Sequence, residues 1–477
     1  MTGNILTPDI CVIGAGSGGL SVAAAAAAFG VEVVLIEKGL MGGDCLNYGC
    51  VPSKSLIAAA HRAHIMRNDR GLGVASVEPV MDFARTQAHL RSVIAAIAPH
   101  DSVGRFEDLG VVVLQSHARF VDSETVEADG TRIKARRFVI ATGSSPAIPP
   151  IPGLAETGYL TNETIFDLTQ RPDHLIIVGG GPIGIELAQA YRRLGAGVTV
   201  LEANKALSRE DPEAAALVLS ALRAEGVAVH EGAKVVRVEG QESARTVIIE
   251  REGEAQERIT GSHLLVAVGR SPNIADLGLE AAGVDFERGG IRVDPDLRTS
   301  NRRVYAIGDV AGGLQFTHAA NYHAGLVVRA ILFRLPVRNR PHLVPRVTYC
   351  DPELAHVGLS EAEAREAHGD GMKVLRAELA ENDRARAEGI AQGFVKILTD
   401  KRGRILGVTI VGENAGELIG MWALAVSRRL KVSAIAGLTL PYPTLSETGK
   451  RAAIGYYSGS LESPWVRALV RFLRIFG

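Results

Sequence analysis

The chain has 477 residues, 47% hydrophobic and 22% charged, with 53 glycines and a net charge of −1. That length exceeds what one hydrophobic core can serve, so roughly two to four domains are expected. The charge balance excludes a global basic field for nucleic acid, the four cysteines exclude a disulfide scaffold, and no apolar stretch approaches a membrane span. The N-terminus, MTGNILTPD, lacks the basic and apolar regions of a signal peptide, which places the expected compartment in the reducing cytoplasm.

The first element is an apolar run over 10–13, read as a buried parallel strand. It leads into Gly14-x-Gly16-x-x-Gly19, an alanine-rich helix, and a second strand over 31–36 that ends at Glu37. The glycines supply a tight turn, close backbone approach to a pyrophosphate, and close helix-to-strand contact. The helix N-terminus offers free N–H groups to the phosphates, and Glu37 can accept ribose hydroxyls. The pattern returns as HLIIVGGGPIGIELAQAYRRLGAGVTVLEAN, with Gly179, Gly181, Gly184 and Glu202 at the same offsets. One GxGxxG is weak, but two copies between strand and helix, each with its acid, predict two Rossmann-like folds and two dinucleotides. Glu202 is followed by Ala203 and Asn204 rather than arginine, which favours NADH over NADPH, although Lys205 and Arg209 are near.

Between the copies lies GGDCLNYGCVPSK, which sets Cys45 and Cys50 five positions apart. Residues so spaced on a regular helix have Cα atoms roughly 8–9 Å apart. A disulfide needs about 4.4–6.8 Å, so the pair requires a distorted chain, and Gly49 permits one. The helix proper is expected to start at Val51, with Pro52 in its first turn. The alternative is a zinc site from Cys45, Cys50, His61 and His64, against which stand the large surrounding domain and the surface character of the two histidines. Cys11, inside the first strand, reads as a small core residue, and Cys350 reads as structural.

These motifs resemble the flavin-dependent pyridine nucleotide–disulfide oxidoreductases, class I, of the CxxxxC type. The resemblance continues through ATGSSP (141–146), VAVGRSPN (266–273), RRVYAIGDVAGG (302–313) and PRVTYCDPELAHVGLSE (345–361). It implies an α/β enzyme in which two Rossmann-like dinucleotide-binding domains, the second inserted in the first, precede an α+β dimerisation domain. The implied limits are 1–147 with 270–343 for FAD, 148–269 for NAD(P), 344–460 for the dimer interface, and 461–477 for a C-terminal helix. It further implies a homodimer with FAD and NAD as cofactors, and a disulfide between Cys45, the interchange thiol, and Cys50, which faces the flavin. Lys54 would lie by the flavin's reactive nitrogen and pair with Glu186, where positive charge steadies a reduced flavin and a thiolate. Thr142, Gly143 and Gly269 would line the crossovers at the cofactors, and Asp309 would bond the ribityl chain.

Two departures follow from the same resemblance. Disulfide-reducing relatives carry a His-Pro motif that shuttles protons to the interchange thiol. Here LPYPTLSETG has Tyr442, with Pro443 and Glu447 retained. Tyrosine titrates near 10 and histidine near 6.5, so tyrosine is a poor proton acceptor at neutral pH. The mercuric reductase branch also carries tyrosine, and ELAQAYRRLG, REDPE and ENDRARAEG lean the same way, yet no cysteine pair follows Cys350 to hand over a metal. The expected acceptor is therefore a non-dithiol oxidant, a metal ion or a quinone-like electrophile. The alternatives are a dihydrolipoamide-type disulfide with an altered proton relay, and a weakly catalytic membrane-docked subunit. The second departure is SPWVRALVRFLRIFG, where Arg467, Arg471 and Arg474 share a face opposite Trp465, Leu469, Phe472 and Phe476. This basic amphipathic helix, 464–476, is read as a membrane-surface element or as a helix packed on the dimer.

Overall fold

The computed structural model describes residues 5–241, 244–459 and 463–476. The C-terminal segment expected from 461 therefore has its first two residues, and Gly477, outside the described residues. Chain contacts divide the protein into two compact units. The first comprises Met1–Arg62, Val80–Asn204 and His230–Pro341, and the second Ala63–Pro79, Lys205–Val229 and His342–Gly477.

The first unit is built on parallel strands. Ile10–Ile13 is flanked by Val33–Glu37 and Arg137–Ile140, with Val112–Gln115 and Val304–Ala306 outermost. Side chains alternate across a strand, so Ile10 and Val12 enter one core while Cys11 and Ile13 enter the other. Both faces are covered, which is why this strand reads as an unbroken apolar run. The helix Ser17–Ala28 has small residues where it meets the helix Thr317–Phe333: a Cβ on Gly18 would lie 3.3 Å from the Ala320 Cβ. A second parallel set, Gly197–Leu201, His174–Val178 and His263–Val266, repeats the plan around the helix Pro182–Arg193. The antiparallel strands Lys234–Gln241, Ala244–Glu250 and Glu257–Gly261 complete it.

The chain leaves and re-enters the first sheet through one doorway. Ser144–Pro146 pairs antiparallel with Arg270–Pro272. Asn273 pins the pair by donating to the Thr142 carbonyl at 2.9 Å and accepting from the Ser145 hydroxyl at 2.9 Å.

The second unit centres on an antiparallel sheet ordered Arg346–Thr348, Glu353–Gly358, Ile405–Gly412, Phe394–Thr399 and Lys373–Glu378. Trp422, on the helix Ala415–Ser427, is buried in its core. A Cβ on Gly449 would lie 2.6 Å from that ring, so only glycine fits there. The terminal helix Pro464–Leu473 is exposed along its whole length.

His356 lies buried in this sheet. Its Nδ1 faces the Thr409 hydroxyl at 2.9 Å and its Nε2 the Gly358 carbonyl at 3.2 Å, which fits a neutral ring. Burial pushes its pKa down to about 4. Because the folded ring resists a proton that the unfolded chain takes up near pH 6.5, stability is full above that pH and is lost as the pH falls toward 4. Urea midpoints should show a loss on the order of 2–3 kcal/mol between pH 7 and pH 4.5 from this residue. His356→Gln should flatten that slope; an unchanged slope would show that the histidine contributes nothing to it.

Candidate active site

Each dinucleotide turn uses its glycines for different reasons. Gly14 has φ +104° and Gly179 φ +115°, a left-handed region that side chains disfavour. A Cβ on either would also strike the opposing strand, 2.4 Å from the Ala141 oxygen or 2.3 Å from the Ala267 oxygen. A Cβ on Gly19 or Gly184 would lie 1.9 or 2.1 Å from the carbonyl of Gly14 or Gly179, so these glycines let the helix sit on its own turn. Gly16 and Gly181 differ, because a Cβ there meets nothing within 4 Å. Both are N-caps with no side-chain hydrogen bond to the helix, so they leave open space beside free helical N–H groups. That is the shape a pyrophosphate requires, and the residues fit two dinucleotides.

The acids at the strand ends brace these turns. Glu37 accepts from the Ala15 N–H at 2.5 Å and the Gly39 N–H at 2.7 Å. Glu202 accepts from the Gly180 N–H at 2.8 Å and the Asn204 N–H at 2.9 Å. A carboxylate has about four lone-pair sites, so each retains capacity for a ribose hydroxyl. Gly143 and Gly269 line the doorway with open space where a Cβ would stand, and the Thr142 hydroxyl donates to the Asn273 carbonyl at 2.8 Å.

The cysteine segment is laid on the first turn. Gly42 N–H donates to the Ala15 carbonyl at 3.0 Å, and a Cβ on Gly43 would lie 2.8 Å from the Gly16 Cα. A short helix, Gly43–Asn47, carries Cys45; it stops at Tyr48, and a new helix, Cys50–Arg67, begins one residue before the expected Val51. Gly49 is favoured by close approach, since a Cβ there would lie 2.7 Å from the Asp44 carboxylate and 3.0 Å from the Asp44 carbonyl. The break brings the two cysteines close enough for their thiols to bias each other's ionisation, and both are free. Among the described residues no group of three or more histidines, cysteines or acids is arranged to hold a metal ion.

The pair is electrostatically unequal. The Cys50 thiol is held down to about 6, first by the hydrogen bond from Cys45. Desolvation opposes this, the Thr317 hydroxyl 3.4 Å away and the Lys54 ammonium add to it, and Asp44 opposes it. Cys45 is pushed far up by donating to Cys50 and by burial. Cys50 is thus the more acidic of the two thiols and Cys45 the less acidic. Lys54 donates to the buried Glu186 carboxylate at 2.8 Å, which fixes the ammonium near the pair. Cys11 is buried in the sheet, and the Cys350 thiol donates to the Pro352 carbonyl at 3.0 Å.

Four further residues converge here that no motif reading singled out. Arg270, 9% exposed, donates to the Ser144 hydroxyl and carbonyl, both at 2.7 Å, and pairs with Asp44 at 3.0 Å. Asn162 donates to Asp44 at 3.0 Å and to the Tyr48 carbonyl at 3.2 Å. The Ser144 hydroxyl donates a hydrogen bond to the Asp309 carboxylate at 2.5 Å. Burial pushes the Asp309 carboxyl up, against that hydrogen bond and the charge of Arg270. Thr317 is the fourth. Asp44 and Arg270 were visible inside GGDC and VGRSPN, but nothing in either motif says that they meet.

Tyr442 lies in the second unit, 72% exposed, and donates to the Asp383 carboxylate at 3.0 Å. That carboxylate holds the phenol above its usual range. Glu447 accepts from the Thr444 N–H at 3.3 Å.

Comparison with known proteins agrees with this geometry. A family model described as pyridine nucleotide-disulphide oxidoreductase matches residues 8–324, and that family's dimerisation domain matches 344–453. A mercuric reductase of Bacillus cereus is 36% identical over 94% of this chain and 71% of its own. A dihydrolipoyl dehydrogenase of Thermus scotoductus is 38% identical over 94% of this chain and 97% of its own. Among solved structures, LpdA of Mycobacterium tuberculosis matches with a TM-score of 0.85 at 29% identity, covering 94% of this chain and 99% of that one. A Cu(II) complex of the HOCl-induced flavoprotein disulfide reductase RclA of Escherichia coli matches with a TM-score of 0.83 at 28% identity, with the same coverage.

In the reduced protein, alkylation of Cys50 by iodoacetamide should be half-maximal near pH 6. Cys45→Ala removes the donor and should raise that midpoint by about one pH unit or more. A midpoint unmoved in Cys45→Ala would exclude the thiol–thiolate hydrogen bond as its cause.

Proposed function

The chain belongs to the pyridine nucleotide-disulphide oxidoreductase family, a flavoenzyme using FAD and NAD(P)H, and from that premise we propose that its acceptor is a non-dithiol oxidant. Bound FAD supplies two-electron chemistry between the nicotinamide and the cysteine pair. Gly14, Gly16, Gly19 and Glu37 would hold FAD with Thr142, Gly143 and Asp309, while Gly179, Gly181, Gly184, Glu202 and Gly269 would hold the nicotinamide dinucleotide. The matched segments support taking 1–147 with 270–343 as the FAD-binding domain, 148–269 as the NAD(P)-binding domain and 344–460 as the dimerisation domain, and they support a homodimer. The Glu202 carboxylate would repel a 2′-phosphate, which favours NADH.

The single observation that carries the acceptor is Tyr442. Reduction of an external disulfide consumes two protons, and a base must manage them at the interchange thiol. A phenol that already donates to Asp383, and is held above its usual range, accepts no proton at neutral pH. Metal-ion reduction makes no such demand. The dithiol gives two electrons to one Hg²⁺ or to two Cu²⁺ ions, closes to the Cys45–Cys50 disulfide, and releases two protons to water. A quinone instead takes up both electrons and both protons. The mercuric reductase relatives and the Cu(II)-bound structure support a metal ion.

The test is an NADH-oxidation screen over lipoamide, glutathione disulfide, quinones, Hg²⁺ and Cu²⁺. Lipoamide turnover should be low, rising about tenfold or more in Tyr442→His, and NADH should outperform NADPH. High lipoamide turnover by the unaltered enzyme would sink the reading.

The terminal helix supports a second part of the proposal, peripheral contact with the inner face of a membrane from the cytoplasm. Among the described residues no helix is long and apolar enough to cross a bilayer. Trp465, Leu469 and Phe472 are exposed opposite Arg467 and Arg471, and the described tail, 463–476, holds no acid to offset its arginines. The dimer should co-sediment with vesicles rich in anionic lipid, and a chain truncated after Glu462 should stay dimeric but remain in solution. Absence of co-sedimentation by the full chain would assign the helix to the dimer instead.

A further inference from the structure

We propose that Arg270 is a charge-balancing positioning residue for the cysteine pair, holding Asp44 as a neutralised neighbour of Cys45. The inference rests on Cys45 and Cys50 being the redox pair. Asp44 immediately precedes Cys45, in the first turn of the short helix that carries it. An unbalanced carboxylate there would oppose every thiolate form of the pair by like-charge repulsion. The structure surrounds Asp44 with donors: the Arg270 guanidinium at 3.0 Å and the Asn162 amide at 3.0 Å, both on Oδ1.

Arg270 is equally committed. Its side chain is nearly buried, and a buried guanidinium needs an anion and a full set of acceptors. It finds Asp44, both oxygens of Ser144, and Asp309 at 3.8 Å. The guanidinium therefore stands between two carboxylates. One adjoins the thiols, and the other is the residue that would bond the flavin's ribityl chain. Arg270 also opens the strand by which the chain returns from the inserted nucleotide fold, so the counter-charge of the redox turn arrives from that crossover. A lysine could neutralise Asp44, but its donors radiate from one nitrogen, whereas the guanidinium spreads five across a planar fork that meets Asp44 and both Ser144 oxygens together.

This balance predicts opposite effects from its two halves. In the FAD-loaded dimer reduced with a phosphine, the pH midpoint of Cys50 alkylation is read by mass spectrometry. Asp44→Asn keeps the size and an acceptor for Arg270, leaves that cation opposed by Asp309 alone, and should lower the midpoint by about one pH unit, tenfold in thiolate fraction. Arg270→Met should raise it by a similar amount, and the double variant should return close to the unaltered enzyme. A merely structural role would not give shifts of opposite sign that cancel. An unmoved midpoint in Asp44→Asn, or a double variant no closer to the parent than Arg270→Met, overturns the proposal. Should Arg270→Met fail to fold, Asp44→Asn and Arg270→Lys decide it, the latter raising the midpoint partway. The titration needs no turnover, so a pair that passes no electrons would overturn the functional reading while leaving this result intact.

Discussion

Everything at this site depends on one interruption of the chain. Cys45 and Cys50 would stand too far apart on a continuous helix, and they meet because the first helix stops at Tyr48 and the second starts at Cys50. Gly49 suits the interruption, since a Cβ there would lie 2.7 Å from the Asp44 carboxylate and 3.0 Å from the Asp44 carbonyl. The short helix is fixed in turn by its seat on the glycine turn, where Gly43 touches Gly16 and Gly42 bonds to Ala15. The redox pair and the first dinucleotide turn are thus one rigid construction.

Upon that geometry the protein places a graded set of charges. Lys54, tethered by Glu186, and the Thr317 hydroxyl favour a thiolate at Cys50, while Asp44 opposes it. Arg270 meets that opposition, and through Ser144 it joins the redox turn to Asp309. The result is a pair of thiols five positions apart of which Cys50 is the more acidic. Such asymmetry suits a pair in which one sulfur exchanges electrons with a cofactor and the other meets the acceptor.

The proton side of the chemistry is weaker. Tyr442 donates to Asp383 and has no free capacity for a proton at neutral pH. In the proposed reading, this arrangement is the ground for preferring a metal ion to an external disulfide as acceptor.

The two nucleotide folds, and the residues that turn them, were legible in the sequence because each glycine answers a local demand. Gly14 and Gly179 need a left-handed backbone, Gly19 and Gly184 must touch their own turn, and Gly16 and Gly181 must leave space. Such demands recur at fixed offsets along the chain, so spacing alone reveals them. Local order also marked the buried strands, Cys11 as core, and the amphipathic tail. What spacing could not reveal is the contact of Asp44 with Arg270, or of Cys50 with Thr317, since these residues are separated by hundreds of positions and belong to different motifs. Gly49 marks the break in the sequence through its backbone freedom, while the Asp44 carboxylate that crowds it is visible only in the fold. The sequence by itself determined the family and the cofactors, because those depend on local pattern. Only the tertiary structure decided which charges surround the pair, because electrostatics depends on distance in space and not on distance along the chain.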